Sequence, residues 1–518
     1  MSAKPSRSDP DFFALREQVR ARLTGLATGE SALAPPAGQR LPERLAQAIW
    51  FERLFRTEGL KTVSGKRLEV FDPGRWNEGA GPDFLAAEIA VDGHKIKGDV
   101  EAHVEASQWR RHGHAADFVY NTAALHVFLW NDDEQKTDEL HNGRRLERFE
   151  MGPALFPDLE TIRQTLTPED YPYDSKTGLG RCHAYFSAEN EPFVRRFLAA
   201  GGRERMESKA RRLSEQLPGQ DFSQLFYQAL MTAMGVRGNK ALFFLLSKRA
   251  PIEELLDHAR EFEGRDRVER MEAVLLHVAG LAPKTDAPTR HFDEPTLEYL
   301  NRINAHWAEL AGYFADRLIP PTKRWHANVR PVNFPARRLA GIAHFAARHA
   351  RGRDLFAPLV EHLRSRIPAA GSARALRAFL LEVERMLTVD AHEDYWARRY
   401  TLEAKPSPQP LSLIGASRAR SIAFNSLIPL LILYARGRND RALEEFAWRW
   451  FESFPRLESN SVVRFMRYRL FGDDPRGKSL LDSEAIHQGL FQVFQSCCNN
   501  RERDCDACYF LKAERDRI

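Results

Sequence analysis

The chain lacks any apolar run of the roughly 18 residues that a membrane-spanning helix requires. Its longest apolar stretch, residues 422–434, includes Asn425 and Pro429 and predicts a buried helix instead. The N-terminus carries acidic residues, among them Asp9 and Asp11, and has no apolar segment of the kind found in secretory signals. These absences predict a cytoplasmic protein that has no membrane partner.

Cysteine is scarce, with five residues in 518, and its distribution is uneven. Cys182 stands alone, whereas Cys497, Cys498, Cys505 and Cys508 lie close to the C-terminus. In a cytosolic chain such a cluster suggests metal binding before disulfides.

Neither sign of charge dominates, and no fixed period of the solenoid type is present. The formal net charge of +5 is a weak indication of a nucleic-acid partner, and protein partners stay unspecified. Hydrophobic periodicity predicts an α/β domain with a mixed sheet, followed by a large all-α region. The predicted division is an N-terminal helix and linker (1–40), the α/β domain (41–190), a helical domain (191–485) and a cysteine-containing tail (486–518).

Within the α/β part the pattern predicts a helix, three strands, a helix and a strand. The helices are expected at 43–55 and 108–121, and the strands at 67–71, 84–91, 94–105 and 123–130. Asp92-Gly93 is a hairpin turn, so the second and third strands are expected to be antiparallel neighbours. Residues 131–190 are predicted to form loops and turns.

Carboxylates and histidines concentrate on these strands. Asp83 precedes one strand, Glu101 lies in the next, and His103 projects from the same face because side chains alternate along a strand. Asp83 and Glu101 can bind Mg²⁺ or Mn²⁺ through their oxygens.

This arrangement resembles the PD-(D/E)xK phosphodiesterase superfamily, where an Asp on one strand precedes Glu-x-Lys on the next. The resemblance implies a nuclease whose catalytic residues are Asp83, Glu101 and His103, with a further glutamate from the first helix of the fold, Glu52 or Glu43. His103 departs from the superfamily lysine: it positions the attacking water, binds a softer metal such as Mn²⁺ or Zn²⁺, or marks an inactive site. Alternatively, the acidic residues are solvated turn and edge positions of an ordinary sheet.

A second group of polar residues follows on the next segment. His112, His114, Asp117 and Tyr120 are expected to contact substrate phosphate or to complete the metal shell. The alternative is a histidine-rich surface turn. His126 lies in an apolar run and is predicted to be a core histidine.

Basic residues interleaved with aromatic ones suit a nucleic-acid backbone and an unstacked base. They occur in a helix at 203–212 and around Lys323, Arg324 and Arg330, where Arg337 and Arg338 follow. The alternative is a solvated helix face and a proline-rich corner.

The cysteine tail offers three soft ligands, Cys498, Cys505 and Cys508, and needs a fourth to hold Zn²⁺ or an iron–sulfur cluster. Cys182, Cys497 and His487 are the candidates. Some PD-(D/E)xK nucleases join a C-terminal cysteine triplet to one distant cysteine around a [4Fe–4S] cluster, and that resemblance implies Cys182. The alternative is thiols that bind no metal.

Several segments spread along the chain form a recognisable set. They are Gly81-Pro-Asp-Phe84, Gly98-Asp-Val-Glu-Ala-His103, Trp109-Arg-Arg-His-Gly-His114, Arg330-Pro-Val-Asn-Phe-Pro335, Tyr395-Trp396 and the cysteine tail. Together they resemble a bacterial family, domain of unknown function 2851, over residues 41–515. That resemblance implies no activity.

Three functions remain open at this point. The first is a metal-dependent phosphodiesterase or nuclease that acts on nucleic acid. The second is a nucleic-acid-binding or protein-binding module on an inactive nuclease-like core. The third is a metal-dependent hydrolase of a small molecule that uses the histidines.

Overall fold

The structure is a computed structural model, and every structural statement concerns the residues that it describes. These are residues 11–24, 41–77, 81–166, 171, 178–236, 238–283, 292–320, 325, 329–368, 372–458, 461–498 and 505.

A mixed seven-stranded sheet forms the α/β part of the chain. Its strands are β1 (Leu68–Asp72), β2 (Arg75–Trp76), β3 (Phe84–Val91), β4 (His94–Glu105), β5 (Ala123–Trp130), β6 (Thr137–Glu139) and β7 (Arg145–Glu150). The strand order is β1-β3-β4-β5-β7-β6, and β2 pairs with β3. The β4–β5 and β5–β7 pairs are parallel, and the others are antiparallel.

The predicted order of helix, three strands, helix and strand is confirmed in outline. Strands β3, β4 and β5 have the predicted bounds, and β3 and β4 are antiparallel neighbours joined at Asp92-Gly93. A mixed sheet followed by a helical region is therefore the fold of the described chain.

Two local predictions are wrong. Residues 108–121 do not form one helix: α3 (Gln108–Arg111) ends early, and two 3-10 turns follow at His114–Ala116 and Phe118–Thr122. Gly113 lies between α3 and the first of these turns. It has a φ of 74°, a left-handed conformation that interrupts an α-helix. Residues 131–190 are also not loops throughout, because they contain β6, β7 and two short helices.

Strand β4 runs from solvent into the core. Its first four residues, from His94 to Lys97, are exposed, whereas Val100, Ala102 and Val104 are buried. The buried half lies beside β5, which is buried except at Trp130. A central strand of this kind places even its polar side chains, Glu101 and His103, in the protein interior.

The helices occupy most of the remaining described chain. They are α1 (Phe12–Thr24), α2 (Glu43–Phe51), α3 (Gln108–Arg111), α4 (Leu159–Thr165), α5 (His183–Ala188), α6 (Glu191–Gln216), α7 (Phe222–Met234), α8 (Asn239–Arg249), α9 (Ile252–His258), α10 (Gly264–Val278), α11 (Glu294–Leu310), α12 (Pro335–His349), α13 (Phe356–Arg364), α14 (Ala373–Leu387), α15 (Ala416–Ile422), α16 (Ile428–Gly437), α17 (Arg441–Ser453), α18 (Ser461–Phe471), α19 (Arg476–Ser479) and α20 (Glu484–Val493). Within the described ranges, none of them has the length and apolarity that a membrane crossing requires.

Side-chain caps define the starts of several helices. Asp158, Asp221, Asp293, Ser372 and Asp440 each precede a helix and accept a hydrogen bond from the backbone N–H three residues later. Each cap satisfies an N–H group that the helix itself leaves without an acceptor.

The chain divides into two compact units. One groups the described parts of Met1–Glu43, Thr167–Ser214 and Ala435–Ile518, and the other groups those of Arg44–Leu166 and Glu215–Tyr434. The first unit has its own apolar core, to which Phe12, Phe197, Met466 and Leu490 contribute. The second contains the sheet. The boundaries predicted from the sequence follow chain order and stay predictions.

A buried arginine ties β7 to the polar core of the sheet. Arg148 is fully buried and donates to Asp133 Oδ1 at 2.7 Å, and its Nε lies 3.5 Å from Asp138 Oδ2. Its guanidinium also lies over the Phe128 ring. A charge in such a position persists only when its partners are held with it.

We predict that Arg148→Met lowers the free energy of unfolding by about 3 kcal/mol, because it leaves two acidic side chains without their buried cation. Urea denaturation followed by tryptophan fluorescence measures the change. The matched control is Arg145→Met on the same strand, at an exposed position, which is expected to change stability by less than about 0.5 kcal/mol. Equal losses in both variants would contradict the prediction.

Candidate metal centre

Asp83 lies immediately before β3 and is fixed against β4. Its Oδ2 accepts a hydrogen bond from the Ala102 N–H at 3.1 Å, and its Oδ1 accepts one from Gln47 Nε2 at 2.8 Å. Its own N–H donates to Glu101 Oε2 at 3.0 Å. The two predicted carboxylates are therefore neighbours, and Asp83 orients Glu101 through its backbone.

Gly81, two residues before Asp83, has a backbone conformation that favours glycine. Gly81 has a φ of 94°, and a Cβ at this position would lie 2.6 Å from Val119 Cγ1. A larger residue would push the 3-10 turn away from the start of β3.

Three imidazoles meet next to Glu101. His103 Nε2 lies 3.2 Å from His112 Nδ1 and 3.3 Å from His114 Nε2. Glu101 Oε1 lies 3.2 Å from His114 Nε2 and 3.6 Å from His103 Nε2. We call His103, His112 and His114 the imidazole cluster.

The spacing within the imidazole cluster is that of ligands on one ion. Two nitrogen ligands about 2.0–2.1 Å from a tetrahedral zinc lie about 3.4 Å apart. One nitrogen atom of His103 faces a nitrogen of each neighbour at nearly this distance. A neutral imidazole nitrogen can donate or accept, but it cannot satisfy two such partners equally well. A divalent cation bound by all three imidazoles would resolve this conflict.

The orientation of His103 is set from behind. His103 Nδ1 lies 2.9 Å from His126 Nε2, and His126 Nδ1 lies 2.6 Å from Asp138 Oδ2. Because the Asp138 carboxylate accepts from His126 Nδ1–H, a neutral His126 presents Nε2 as an acceptor to His103 Nδ1–H. The lone pair of His103 Nε2 then points at the facing nitrogens of His112 and His114. Histidine ligands of metals are commonly held in this way, by a hydrogen bond from the other ring nitrogen.

Burial supports this assignment of protons. Desolvation lowers the pKa of the fully buried His126 below its ordinary value, although the hydrogen bond to Asp138 opposes the effect. His126 is therefore a core histidine, as predicted, but it belongs to the site rather than to its background.

Aromatic side chains close the inner side of the imidazole cluster. The Tyr120 ring lies 4.0 Å and the Trp109 ring 5.2 Å from the His114 ring, measured between centroids. Both aromatic residues are buried, whereas His112 is exposed. The cluster is thus open toward solvent on the His112 side.

The other predicted residues of this region have different surroundings. Asp117 caps the second 3-10 turn by accepting from the Val119 N–H. Tyr120 packs on His114 rather than standing on an open surface. Glu52 is buried, and its carboxylate accepts from the Gly238 N–H. Glu101 is buried, with an exposed fraction of 5%, so it does not occupy a solvated turn or edge position of the sheet.

The predicted basic segments have mixed outcomes. Lys323 and Arg324 lie outside the described residues, and Arg330 is exposed. Arg337 and Arg338 are buried, and both donate to backbone carbonyls of the segment that includes residues 396–413. These two arginines therefore fix α12 to the segment of residues 396–413 and are not available on the surface for nucleic acid.

The basic side chains of helix α6 also have partners within the protein. Arg203 pairs with Glu452 at 3.2 Å, and Arg205 donates to Gln488 and Gln495. Nucleic-acid contact by this helix stays a prediction.

The four described cysteines lie together in the core of the first unit. Cys182, Cys497 and Cys505 are buried in one hydrophobic cluster, and Cys498 packs against it. Cys508 lies outside the described residues. The fold thus brings Cys182 to the C-terminal cysteines despite its distance along the chain.

The sulfur of Cys505 accepts two polar contacts from residues distant in the chain. Cys505 Sγ accepts from Arg469 Nη2 at 2.8 Å and from the backbone N–H of Arg181 at 3.3 Å. The second contact places Cys505 beside the residue that precedes Cys182.

Sequence reasoning missed Asp138 and Arg148, the groups behind His126. Both lie in the segment that was expected to be irregular. The signal that it overlooked is Asn142-Gly143, a hairpin dipeptide between β6 and β7. Gly143 has a φ of 78°, as such a turn requires.

The fold and site define a chain with a histidine–carboxylate cluster on a mixed sheet, followed by a helical region. The model of a family described as protein of unknown function, DUF2851, matches residues 43–461, and the chain belongs to that family. Neither the curated proteins nor the solved structures gave a match.

We predict that the imidazole cluster binds one equivalent of Zn²⁺. His112→Ala removes an exposed ligand and should weaken this binding about 100-fold or more, because three protein ligands are the minimum of catalytic zinc sites. Isothermal titration of EDTA-treated protein measures the loss. The control is His94→Ala, an exposed histidine at the start of the same β4 strand. The prediction fails if the two variants bind Zn²⁺ equally well.

Proposed function

We propose that this protein is a metal-dependent phosphodiesterase that acts on nucleic acid. The observation that carries the proposal is the convergence of three imidazole nitrogens within 4.8 Å of one another, next to the carboxylate of Glu101. Three histidines that leave an open coordination position, with a carboxylate nearby, form the donor set of many hydrolytic zinc sites.

The residues divide into distinct roles. His103, His112 and His114 hold the cation, and Asp83 and His126 orient Glu101 and His103. A divalent cation held there supplies an activated water and neutralises charge on the scissile phosphate. Glu101 Oε1 accepts a proton from the attacking water, because its Oε2 is already fixed by the Asp83 N–H.

The sheet supports a relationship to the PD-(D/E)xK fold. Three antiparallel strands, β1, β3 and β4, precede a short helix and a parallel strand, β5. Asp83, immediately before β3, donates its N–H to Glu101 on the neighbouring strand β4. The imidazole cluster replaces the lysine of that superfamily, so the proposed metal is Zn²⁺ or Mn²⁺ rather than Mg²⁺.

An exposed aromatic residue near the site supports nucleic acid as the substrate class. Phe118 is 71% exposed and belongs to the same short segment as His114 and Tyr120. An exposed ring beside a phosphate-cleaving site is suited to stack on an unpaired base. A cytoplasmic location is part of the same proposal.

We predict that Glu101→Gln lowers the rate of phosphodiester cleavage by about 100-fold or more but leaves Zn²⁺ affinity nearly unchanged, because the amide cannot accept the proton. The assay follows cleavage of single- and double-stranded DNA and RNA with Zn²⁺ or Mn²⁺. Glu105→Gln, at a partly exposed position of the same strand, is the matched control and should keep full activity.

Two results would contradict this proposal. Loss of the metal together with activity in Glu101→Gln would make Glu101 a ligand rather than the base. A wild-type protein that is loaded with metal but cleaves no phosphodiester would exclude the proposed substrate class.

We also propose that the cysteines hold a structural Zn²⁺ or an iron–sulfur cluster through Cys182, Cys498, Cys505 and Cys508. The burial of Cys182 in the same cluster as Cys505 supports this proposal. A metal there would join the chain end to α5 by bonds stronger than packing contacts.

For this site we predict that anaerobically purified Cys182→Ser contains one equivalent of zinc, or one iron–sulfur cluster, less than the wild type, whereas Cys497→Ser has the wild-type metal content. The two thiols are matched, since both are buried in one apolar cluster. Elemental analysis for zinc and iron decides between them. A wild-type metal content in Cys182→Ser would show that Cys182 is not a ligand.

A further inference from the structure

A second group of carboxylates and an imidazole lies in the helical part of the second unit. Glu272 is on α10, His344 is on α12, and Asp394 precedes the 3-10 turn Tyr395–Ala397. One donor atom from each of the three lies within 4.8 Å of the others.

The polar atoms of Asp394 are divided between two tasks. Its Oδ1 accepts from the Trp396 N–H at 2.8 Å and caps the turn. Its Oδ2 lies 3.0 Å from His344 Nε2, which has no well-oriented hydrogen-bond partner among the described residues. Two donors about 2.1 Å from one ion lie about 3.0 Å apart at octahedral angles.

Glu272 is the most unusual member of the group. Its exposed fraction is 0%, and its Oε2 accepts from Tyr299 OH at 2.8 Å. Its Oε1 has no hydrogen-bond partner among the described residues. A buried carboxylate oxygen without a donor costs the full free energy of its desolvation.

The basic side chains nearby do not neutralise this carboxylate directly. Arg302 donates to both oxygens of Glu269. Arg337 donates to backbone carbonyls, including that of Trp396. Burial first, and then the charge of Asp394, raises the pKa of Glu272 well above its ordinary value. The cluster as built is therefore short of positive charge.

The surrounding contacts hold these donors in position. Trp396 Nε1 donates to Tyr299 OH at 2.7 Å, so the tyrosine hydroxyl is directed at Glu272. The Tyr395 ring stacks on the Tyr299 ring, with centroids 4.3 Å apart and planes 3° from parallel. The Tyr395-Trp396 pair noted in the sequence thus fixes the position of Tyr299, which in turn orients the carboxylate of Glu272.

We infer that Glu272, His344 and Asp394 form a second binding site for a first-row divalent cation. Two carboxylate oxygens and one imidazole suit Mn²⁺, Fe²⁺ or Zn²⁺ better than the soft cations that prefer thiolates. The side chains of His344 and Asp394 are 20% and 10% exposed, so the ion has a solvent side on which water completes its coordination. This inference does not depend on the proposed phosphodiesterase activity.

The test uses the full-length chain and Mn²⁺, which thiolates bind poorly, so the cysteine tail does not compete. The double variant His112→Ala/His114→Ala removes the imidazole cluster as a source of binding. Titration followed by the electron paramagnetic resonance signal of free Mn²⁺ should then show one remaining equivalent. Adding His344→Ala should abolish it, whereas adding His392→Ala, an exposed histidine two residues before Asp394, should not.

A second variant covers the buried ligand. In the same background, Glu272→Gln keeps an acceptor for Tyr299 and should weaken Mn²⁺ binding at least tenfold. The inference is overturned if the double variant binds no Mn²⁺, or if His344→Ala leaves its binding unchanged. It is also overturned if Glu272→Gln raises the thermal midpoint without changing Mn²⁺ binding, because the carboxylates then share a proton instead of a cation.

Discussion

The hydrogen bond between His126 and Asp138 is the interaction on which the candidate centre depends. It determines which nitrogen of His126 carries the proton, and thereby which nitrogen of His103 carries the lone pair. Arg148 holds the carboxylate from the far side. A flipped His126 ring would leave a buried carboxylate without its donor, which costs about 1–3 kcal/mol or more. The orientation of His103 Nε2 is therefore set by residues that lie outside the imidazole cluster.

Both candidate sites have the same physical origin. In each, an element enters the core carrying an acidic side chain, and the backbone or a tyrosine satisfies one carboxylate oxygen while the other faces an imidazole. Glu101 receives the Asp83 N–H, and Glu272 receives the Tyr299 hydroxyl. Burying these groups is unfavourable in the absence of compensating charge. Cation binding is the simplest compensation that the donor atoms allow.

The sequence predicted the parts of the fold that have strong local signals. Alternation and the Asp92-Gly93 turn were sufficient to place β3 and β4, and with them Asp83, Glu101 and His103. Three features of the two candidate sites were not predicted. Gly113 broke an expected helix, so the path from His112 to Tyr120 could not be foreseen. The partner of His126 comes from β6, which is only three residues long. The meeting of Glu272, His344 and Asp394 depends on how α10 and α12 pack, which no spacing along the chain reveals.

The positions of the ligands along the chain give the two sites different places in the folding sequence. His103, His112 and His114 are separated by short loops, and the entropy of closing such loops is small. In the proposed site, an ion would need only β4, α3 and the 3-10 turn that begins at His114 to be in place. Glu272 and Asp394 are separated by a much longer stretch of chain. A cation would bind both of them only after the helices between them have packed. The first ion would stabilise an early, partly folded state of the sheet, whereas the second would stabilise only the folded helical region.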